Sequence, residues 1–202
     1  MIFVDEFGTH LGMSRFYGRA PSGQRAHASV PCNTDPNITL VMGLSSEGVV
    51  APFAFEGGMD GTVFEAYVRY QLAPQLCPGD LVVADGLGAH RGAGARQAIE
   101  AQRASYRILP PYSPDLSPVE QCGSKVKESI RAEAPRTAQG VIDAMGRAIG
   151  KVTPADTKAW FRYRGYRPRC QRPPPGSRPA RRPPAPIGRR ETGRITRAGK
   201  PL

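Results

Sequence analysis

The chain has 202 residues, of which 28 are Lys or Arg and 17 are Asp or Glu, so that its formal net charge is +11. That length suits one domain with an appended segment, and a hydrophobic content of 40% is ordinary for a globular protein. No apolar run approaches the roughly 18 to 20 residues needed to cross a bilayer, and the N-terminus lacks the features of a secretory signal. These observations argue against a membrane protein and a secreted protein, and they favour a cytoplasmic one.

The positive charge is concentrated at the C-terminal end. The last 41 residues hold 13 of the 28 basic residues, one of the 17 acidic residues and nine of the 21 prolines. With few large apolar residues, such a segment cannot offset the entropy of ordering, so we predict that residues 167–202 form a disordered tail. A tail of this charge can attract nucleic acid by releasing counterions. A solvated tail without a role, or translation out of frame, is the simpler interpretation.

The first third of the chain predicts strands. Residues 1–6 indicate a short strand that ends in acidic residues, and residues 13–19 indicate a second strand. Two β-branched, apolar segments follow at 38–45 and 49–55, with a Ser-Glu-Gly turn between them. Together these segments predict an antiparallel meander.

Helical periodicity begins after Gly61. The segment Thr62–Glu65 matches a capping box, and one helical face carries Phe64, Val68 and Leu72. The later elements alternate: a strand at 80–85, a helix at 93–103, a strand at 106–109, a helix at 118–132 and a helix at 138–149 capped by Thr137. The apolar face of the helix at 118–132 consists of Val119, Cys122, Val126 and Ile130. This order predicts an α/β fold, with a mixed sheet flanked by helices.

Three acidic residues occupy special places in this order. Asp5 ends the first predicted strand, Asp85 ends the strand at 80–85, and Glu120 lies in the first turn of the helix at 118–132. If the two strands are neighbours, Asp5 and Asp85 lie side by side, and a helix across that edge brings Glu120 beside them. Clustered carboxylates repel one another unless a cation neutralises them, and oxygen ligands select Mg²⁺ or Mn²⁺. Two such ions can promote the cleavage of a phosphodiester.

Each acid also has a local interpretation. Asp5 could cap a turn before Gly8, and Asp85 precedes Gly86, which is a common turn pair. Glu120 is the fourth residue of the segment 117–120, Ser-Pro-Val-Glu, which matches a capping box. Spacing alone does not decide between these local roles and a metal site.

Five segments occur in an order that is typical of one enzyme family. They are FVDEFG at 3–8, GGMDGTVFEAYV at 57–68, PGDLVVADGLGAH at 78–90, LPPYSPDLSPVEQCGSKVK at 109–127 and a weaker match, WFRYRGY, at 160–166. Together they resemble the catalytic domain of DDE transposases, in the mariner-like bacterial insertion-sequence branch (DDE superfamily endonucleases). The 34 residues between Asp85 and Glu120 equal the spacing that such enzymes use.

The resemblance implies an RNase H-like fold over residues 1–166, two bound Mg²⁺ or Mn²⁺ ions, and the cleavage and transfer of DNA strands. By position, Asp5, Asp85 and Glu120 match the three catalytic, metal-binding acids. His90 matches a histidine five positions after the second acid, which could orient a metal-bound water or a phosphate. The implied partner is DNA, as transposon ends and as target, bound by a homodimer associated with the nucleoid in the bacterial cytoplasm.

Several positions depart from the family pattern. Gly86 and Ser117 stand where the family usually has Asn, Gly123 where it has Trp, and Arg164 where it has Cys. None of these changes removes a predicted metal ligand. A glycine inside a helix costs about 1 kcal/mol relative to alanine, and the missing Trp ring removes a large buried surface.

Four basic residues near the predicted site are candidates for DNA contacts. They are Arg91, Lys125, Lys127 and Arg131. The alternative is the solvated face of an amphipathic helix.

Family members carry helix-turn-helix modules ahead of the catalytic domain, whereas this chain starts at the first catalytic strand. We therefore expect a truncated transposase domain with little sequence-specific activity. The alternatives are another RNase H-like nuclease, a non-catalytic nucleic-acid-binding remnant that acts through the tail, and a product without a role.

Overall fold

The computed structural model describes residues 1–111 and 113–167. The predicted disordered tail therefore lies outside the described residues from position 168 onward. Within the described ranges, no helix is both long enough and apolar enough to cross a membrane.

Five strands form one mixed sheet, in the order β3-β2-β1-β4-β5. The strands are β1 (Ile2–Thr9), β2 (Ile38–Ser45), β3 (Gly48–Glu56), β4 (Leu81–Ala84) and β5 (Ser105–Ile108). β1, β2 and β3 pair antiparallel as the predicted meander, and β4 and β5 continue the sheet parallel to β1 on its other side. β1 is therefore the central strand.

In the described part of the chain, five α-helices flank this sheet. They are α1 (Gly61–Tyr67), α2 (Ala93–Glu100), α3 (Val119–Glu133), α4 (Ala138–Gly150) and α5 (Pro154–Tyr163). α1 continues as a π-helical turn at Val68–Leu72 and a 3₁₀ turn at Ala73–Gln75. Pro74 has no N–H to continue an α-helical ladder, which accounts for this change of helix type.

Alternation along β1 divides the core into two clusters, one on each face of the sheet. Phe3 belongs to the cluster beneath α3, α4 and α5, whereas its neighbours Ile2 and Val4 belong to the cluster beneath α1 and α2. Successive side chains of a strand point to opposite faces, so every second residue of β1 joins the same layer. By the same rule, Asp5 lies on the face of Phe3 and Glu6 lies on the face of Val4.

The buried faces of the helices are those that the sequence predicts. The predicted apolar residues of α1 and its continuation, Phe64, Val68 and Leu72, are buried, and so are the four of α3. Thr137 caps α4, because its side chain accepts a hydrogen bond from the amide of Gly140. The predicted helix periodicity and the predicted N-cap of α4 are therefore confirmed.

Two local predictions are wrong. Residues 13–19 form no strand, and this segment instead belongs to the long connection between β1 and β2. The N-cap of α1 is Asp60 and not Thr62, since the Asp60 carboxylate accepts the amide hydrogen of Val63 at 2.8 Å. Asp is as good a helix cap as Thr, and it stands two residues earlier.

Candidate active site

Two of the predicted acids lie level with each other on neighbouring parallel strands. β1 and β4 pair with Val4 opposite Ala84, so Asp5 and Asp85 are the residues that follow this pair in the two neighbouring segments. Asp5 is not at the end of its strand as predicted, because β1 continues to Thr9 through its pairing with β2. Asp85 immediately follows β4. The neighbouring strands that the prediction required are present.

Strand alternation sends Asp5 and Glu6 to different faces of the sheet. Asp5 shares its face with Phe3, beneath α3, and Glu6 shares its face with Val4, beneath α1 and α2. Consistent with this, Asp5 interacts electrostatically with Glu120 at the start of α3, whereas a Glu6 oxygen reaches His90. The consecutive residues Asp5 and Glu6 of β1 thus interact with different partners, Glu120 and His90.

Glu120 lies in the first turn of α3, as predicted. The capping-box alternative does not form, since Pro118 is the N-cap of α3 and no side chain caps the helix. Glu120 instead lines a cavity of about 260 Å³ between β1 and α3. The other polar residues that line it are Asp5, Glu6, Ser124 and Lys127. Asp85 is not part of this wall.

The charge around Asp5 is unfavourable for a carboxylate. Burial and the nearby negative charge of Glu120 raise the pKa of Asp5 to about 7, with smaller contributions from Glu6 and Asp85. The backbone amide of Glu6 donates to Asp5 Oδ1 at 2.8 Å and offsets part of this effect. A cation bound here would relieve the repulsion that opposes ionisation.

His90 is completely buried and uses both ring nitrogens. Nδ1 lies 2.5 Å from Asp85 Oδ1, and Nε2 lies 2.9 Å from Glu6 Oε2. Burial opposes the charged imidazolium, but the two hydrogen bonds together with the negative charges of Glu6 and Asp85 outweigh burial and raise the pKa of His90 to about 9. The hydrogen bond from His90 in turn lowers the pKa of Asp85.

Sequence reasoning missed the role of Glu6 as the partner of His90. The two residues are 84 positions apart, so no local pattern links them. The available signal was the acid that directly follows Asp5, because alternation must place it on the opposite face.

Asp85 forms the predicted local turn and also contacts His90. The amide of Leu87 donates to Asp85 Oδ1 at 3.0 Å, which forms the tight turn that the pair Asp85-Gly86 predicts. The same oxygen faces His90, and the side chain is 48% exposed. This turn fixes the start of the segment that leads to His90.

The chemistry of the acids fits a hard divalent cation, but their present positions do not form a finished site. Carboxylate oxygens are the ligands that Mg²⁺ and Mn²⁺ prefer. In the described ranges, however, no three His, Cys, Asp or Glu side chains converge closely enough to hold one ion. A shared ion would therefore require at least one of these side chains to move, and the contacts of Asp85 with His90 and Leu87 both use its Oδ1.

The four predicted basic residues have different surroundings. Lys127 lines the acidic cavity, with its ammonium 4.8 Å from the centre of the Phe7 ring. Lys125 is paired with Asp156 at 2.7 Å, and this Asp forms the capping box of α5 with the N-cap Thr153. The guanidinium of Arg131 lies over the ring of Phe16, and Arg91 donates to the carbonyl of Gly86. Of the four, Lys127 alone lines this cavity.

The loop that leads to Glu120 is fastened by the end of α5. Arg164 contacts both the carbonyl and the carboxylate of Asp115, and the Tyr166 hydroxyl donates to the carbonyl of Leu116 at 2.7 Å. The Tyr166 ring packs 5.0 Å from that of Phe3 in β1. Arg164, which departs from the family pattern, thus helps to hold the approach to α3.

Comparison with solved structures shows the RNase H-like fold that the sequence predicts. The Mos1 strand transfer complex matches with a TM-score of 0.63 and 15% identity, covering 80% of this chain and 50% of that chain. The mariner Mos1 paired-end complex with Mg gives 0.60 and 14%, covering 80% and 51%. The catalytic domain of Mos1 mariner transposase gives 0.54 and 13%, covering 81% and 74%.

At these identities the likeness concerns the fold alone. The chain spans about half the length of the Mos1 chains in the two complexes. No curated protein matches it by sequence. Residues 1–141, more than half of the sequence, match the family model described as DDE superfamily endonuclease. The chain therefore belongs to the DDE superfamily endonucleases.

Proposed function

We propose that this chain is a transposase-type catalytic domain that cleaves DNA strands and transfers them with the help of divalent metal ions. The observation that supports the proposal is the pairing of β1 with β4, which makes Asp5 and Asp85 neighbours across the two strands. Asp5 and Asp85 follow the paired residues Val4 and Ala84, and Glu120 lines the same cavity as Asp5. Family membership and the Mos1 fold support this function, and the insertion-sequence branch remains part of the proposal.

Asp5, Asp85 and Glu120 would hold the metal ions, and Mos1 structures with Mg or Mn support that choice. Two bound ions would supply Lewis acidity for the attacking and leaving oxygens of a phosphodiester. The Lys127 ammonium, in the wall of the same cavity, would attract and orient the phosphate. Water would be the nucleophile for cleavage and a freed 3′-hydroxyl the nucleophile for transfer.

Cleavage of plasmid and linear duplex DNA in the presence of Mn²⁺ or Mg²⁺ tests this proposal. We expect strand breaks with the wild-type chain, and a loss of at least about 100-fold in rate with Asp85→Asn or Glu120→Gln. Both substitutions keep the side-chain size and remove only the charge. Asp143→Asn is the matched control, because Asp143 is an exposed residue of α4 away from the cavity. Equal rates for all four proteins would contradict the proposal.

A non-catalytic DNA-binding role is the second candidate, and one observation favours it. No three described acids converge on a common ion as they stand. Under this candidate, Asp85→Asn binds DNA like the wild type and neither protein breaks it.

An RNA–DNA hybrid supplied in place of duplex DNA separates the proposed activity from that of an RNase H-like nuclease, which would cleave the hybrid preferentially.

A further inference from the structure

The geometry around His90 points to a positioning device: we propose that Glu6 and His90 form a buried bridge that orients Asp85 for metal binding. We call these three residues the Glu6–His90–Asp85 bridge. The inference rests on the proposed function, and it assigns to Glu6 and His90 a role distinct from contact with DNA or with the reacting atoms.

Burial excludes direct contact between His90 and a substrate in this conformation. The His90 side chain is 0% exposed, whereas the Asp85 side chain is 48% exposed and the Glu6 side chain 12%. The Phe64 ring lies over the imidazole with 4.3 Å between ring centres. His90 can therefore act on the site only through the side chains that it touches.

Both ring nitrogens of His90 face carboxylate oxygens, one on each of two neighbouring strands. Glu6 belongs to β1 and Asp85 directly follows β4. A carboxylate accepts hydrogen bonds, so each ring nitrogen acts as the donor. The bridge links the two strand segments that carry Asp5 and Asp85, and it places a donor between acids that would otherwise repel each other.

The rest of the fold holds the imidazole in place. His90 lies in a 3₁₀ turn at Gly88–Arg91, and its carbonyl accepts a hydrogen bond of 2.8 Å from the Tyr106 hydroxyl in β5. Tyr106 is itself 1% exposed. With the ring fixed by Phe64 and the backbone fixed by Tyr106, His90 holds Asp85 Oδ1 in place, and the hydrogen bonds from His90 and Leu87 leave Oδ2 of Asp85 for an ion.

Hydrogen-bond partners of metal ligands commonly set the orientation of those ligands, and their loss typically costs 10- to 100-fold in metal affinity or activity. We expect this of the bridge. His90→Gln and Glu6→Gln, made in the full 202-residue chain, should each weaken Mn²⁺ binding by about 10- to 100-fold in calorimetry. In DNA cleavage, kcat should fall by a similar factor while KM stays within about threefold, because neither residue would contact the DNA.

Glu6 also lines the acidic cavity, so it could in principle contact an ion without His90. The double variant, His90→Gln with Glu6→Gln, separates these roles. If Glu6 acts through His90, the double variant should bind Mn²⁺ about as weakly as the worse single variant. Losses that multiply would show two independent contributions and would overturn the bridge.

Two further variants guard against misfolding and general charge effects. Tyr106→Phe removes only the hydroxyl that anchors the His90 backbone, so it should keep the fold and reduce Mn²⁺ affinity by a smaller factor. Glu65→Gln is the charge control, because Glu65 is an α1 residue whose partner is the exposed Arg69. It should leave Mn²⁺ affinity unchanged.

The possible failures are distinguishable. A wild-type chain that neither binds Mn²⁺ nor cleaves DNA contradicts the proposed function. The same result overturns the bridge, because Asp85 would then bind no metal. A wild-type chain that does both, together with bridge variants that do both equally well, leaves the function standing and overturns the bridge alone.

Discussion

Asp5 shows at the scale of one residue how a functional site opposes the stability of its own fold. Burial and the charge of Glu120 raise its pKa from 3.8 to about 7, so the folded state binds a proton that the unfolded state releases above pH 4. The contribution of Asp5 to the free energy of unfolding therefore falls as the pH rises from about 4 to 7. Above that range, the ionised carboxylate destabilises the folded chain.

We therefore predict that Asp5→Asn stabilises the chain at pH 8 in the presence of EDTA. The gain should be at least about 1 kcal/mol, below the upper limit of about 4 kcal/mol that a shift of this size implies. Asn keeps the acceptor for the amide of Glu6. Urea denaturation at pH 8 and at pH 4 measures the effect, which should largely disappear at the lower pH. If Asp5→Asn destabilises the chain at pH 8, the ionised Asp5 carboxylate does not lower the free energy of unfolding.

The sequence singled out Asp5, Asp85 and Glu120 because each acid follows an apolar strand pattern or lies in the first turn of a predicted helix, although β1 continues beyond Asp5 to Thr9. It could not reveal the Glu6–His90–Asp85 bridge, because hydrogen-bond partners depend on which strands become neighbours and on how far a turn carries the imidazole. The short segment from Asp85 to His90 includes a turn and a 3₁₀ segment, neither of which periodicity predicts. The positions of these acids at the start of α3 and after β4 were thus predictable from the sequence, their role as metal ligands stays a prediction, and the contacts around His90 were not predictable.

At the scale of elements, α3 accommodates an unusual glycine. Gly123 is buried in the middle of this helix, where the family resemblance leads one to expect Trp, and the Phe7 ring of β1 lies beside it. A Cβ added at Gly123 would lie 3.5 Å from the nearest Phe7 atom, which is an ordinary contact distance. The ring of Phe7 thus packs against the helix surface where a larger side chain is expected.

Gly123→Ala should therefore stabilise the chain by about 1 kcal/mol, since alanine is the better helix former and the added methyl group fits against Phe7. Thermal or urea denaturation measures the change. The matched control is Gly146→Ala in α4, where the glycine is exposed and the gain reflects helix propensity alone. A loss of stability specific to Gly123→Ala would mean that the Phe7 ring cannot tolerate the contact.

Elements with one clear pattern were predictable from sequence, and elements that depend on distant partners were not. The apolar run at 38–45 became β2 with those bounds, because all eight residues are buried. The segment 13–19 contains aromatic residues but forms no strand, and Phe16 and Tyr17 are 75% and 90% exposed. Arg136, far along the chain, instead donates to the carbonyls of Leu11 and Met13.

At the scale of the whole molecule, net charge separates the catalytic and the non-catalytic interpretations. Residues 168–202 carry ten of the 28 basic residues and one of the 17 acidic residues, whereas residues 1–167 have a formal net charge of only +2. Attraction to DNA through counterion release grows with the number of phosphates that basic residues neutralise. Most of the long-range attraction must then come from the last 35 residues, while the acids of the site lie in the first 120.

A chain that ends at Arg167 should therefore bind duplex DNA more weakly than the full chain, and with a smaller dependence on salt. Each lost phosphate contact should reduce the slope of log affinity against log salt concentration by about 0.9. Fluorescence anisotropy with a labelled duplex at several salt concentrations measures both quantities.

If the proposed catalytic function is correct, the shortened chain should still cleave DNA at saturating concentration in low salt, and Asp85→Asn should abolish that cleavage in both chains. If the chain only binds nucleic acid, shortening should abolish binding and Asp85→Asn should change nothing, because the charge would then act without the acids.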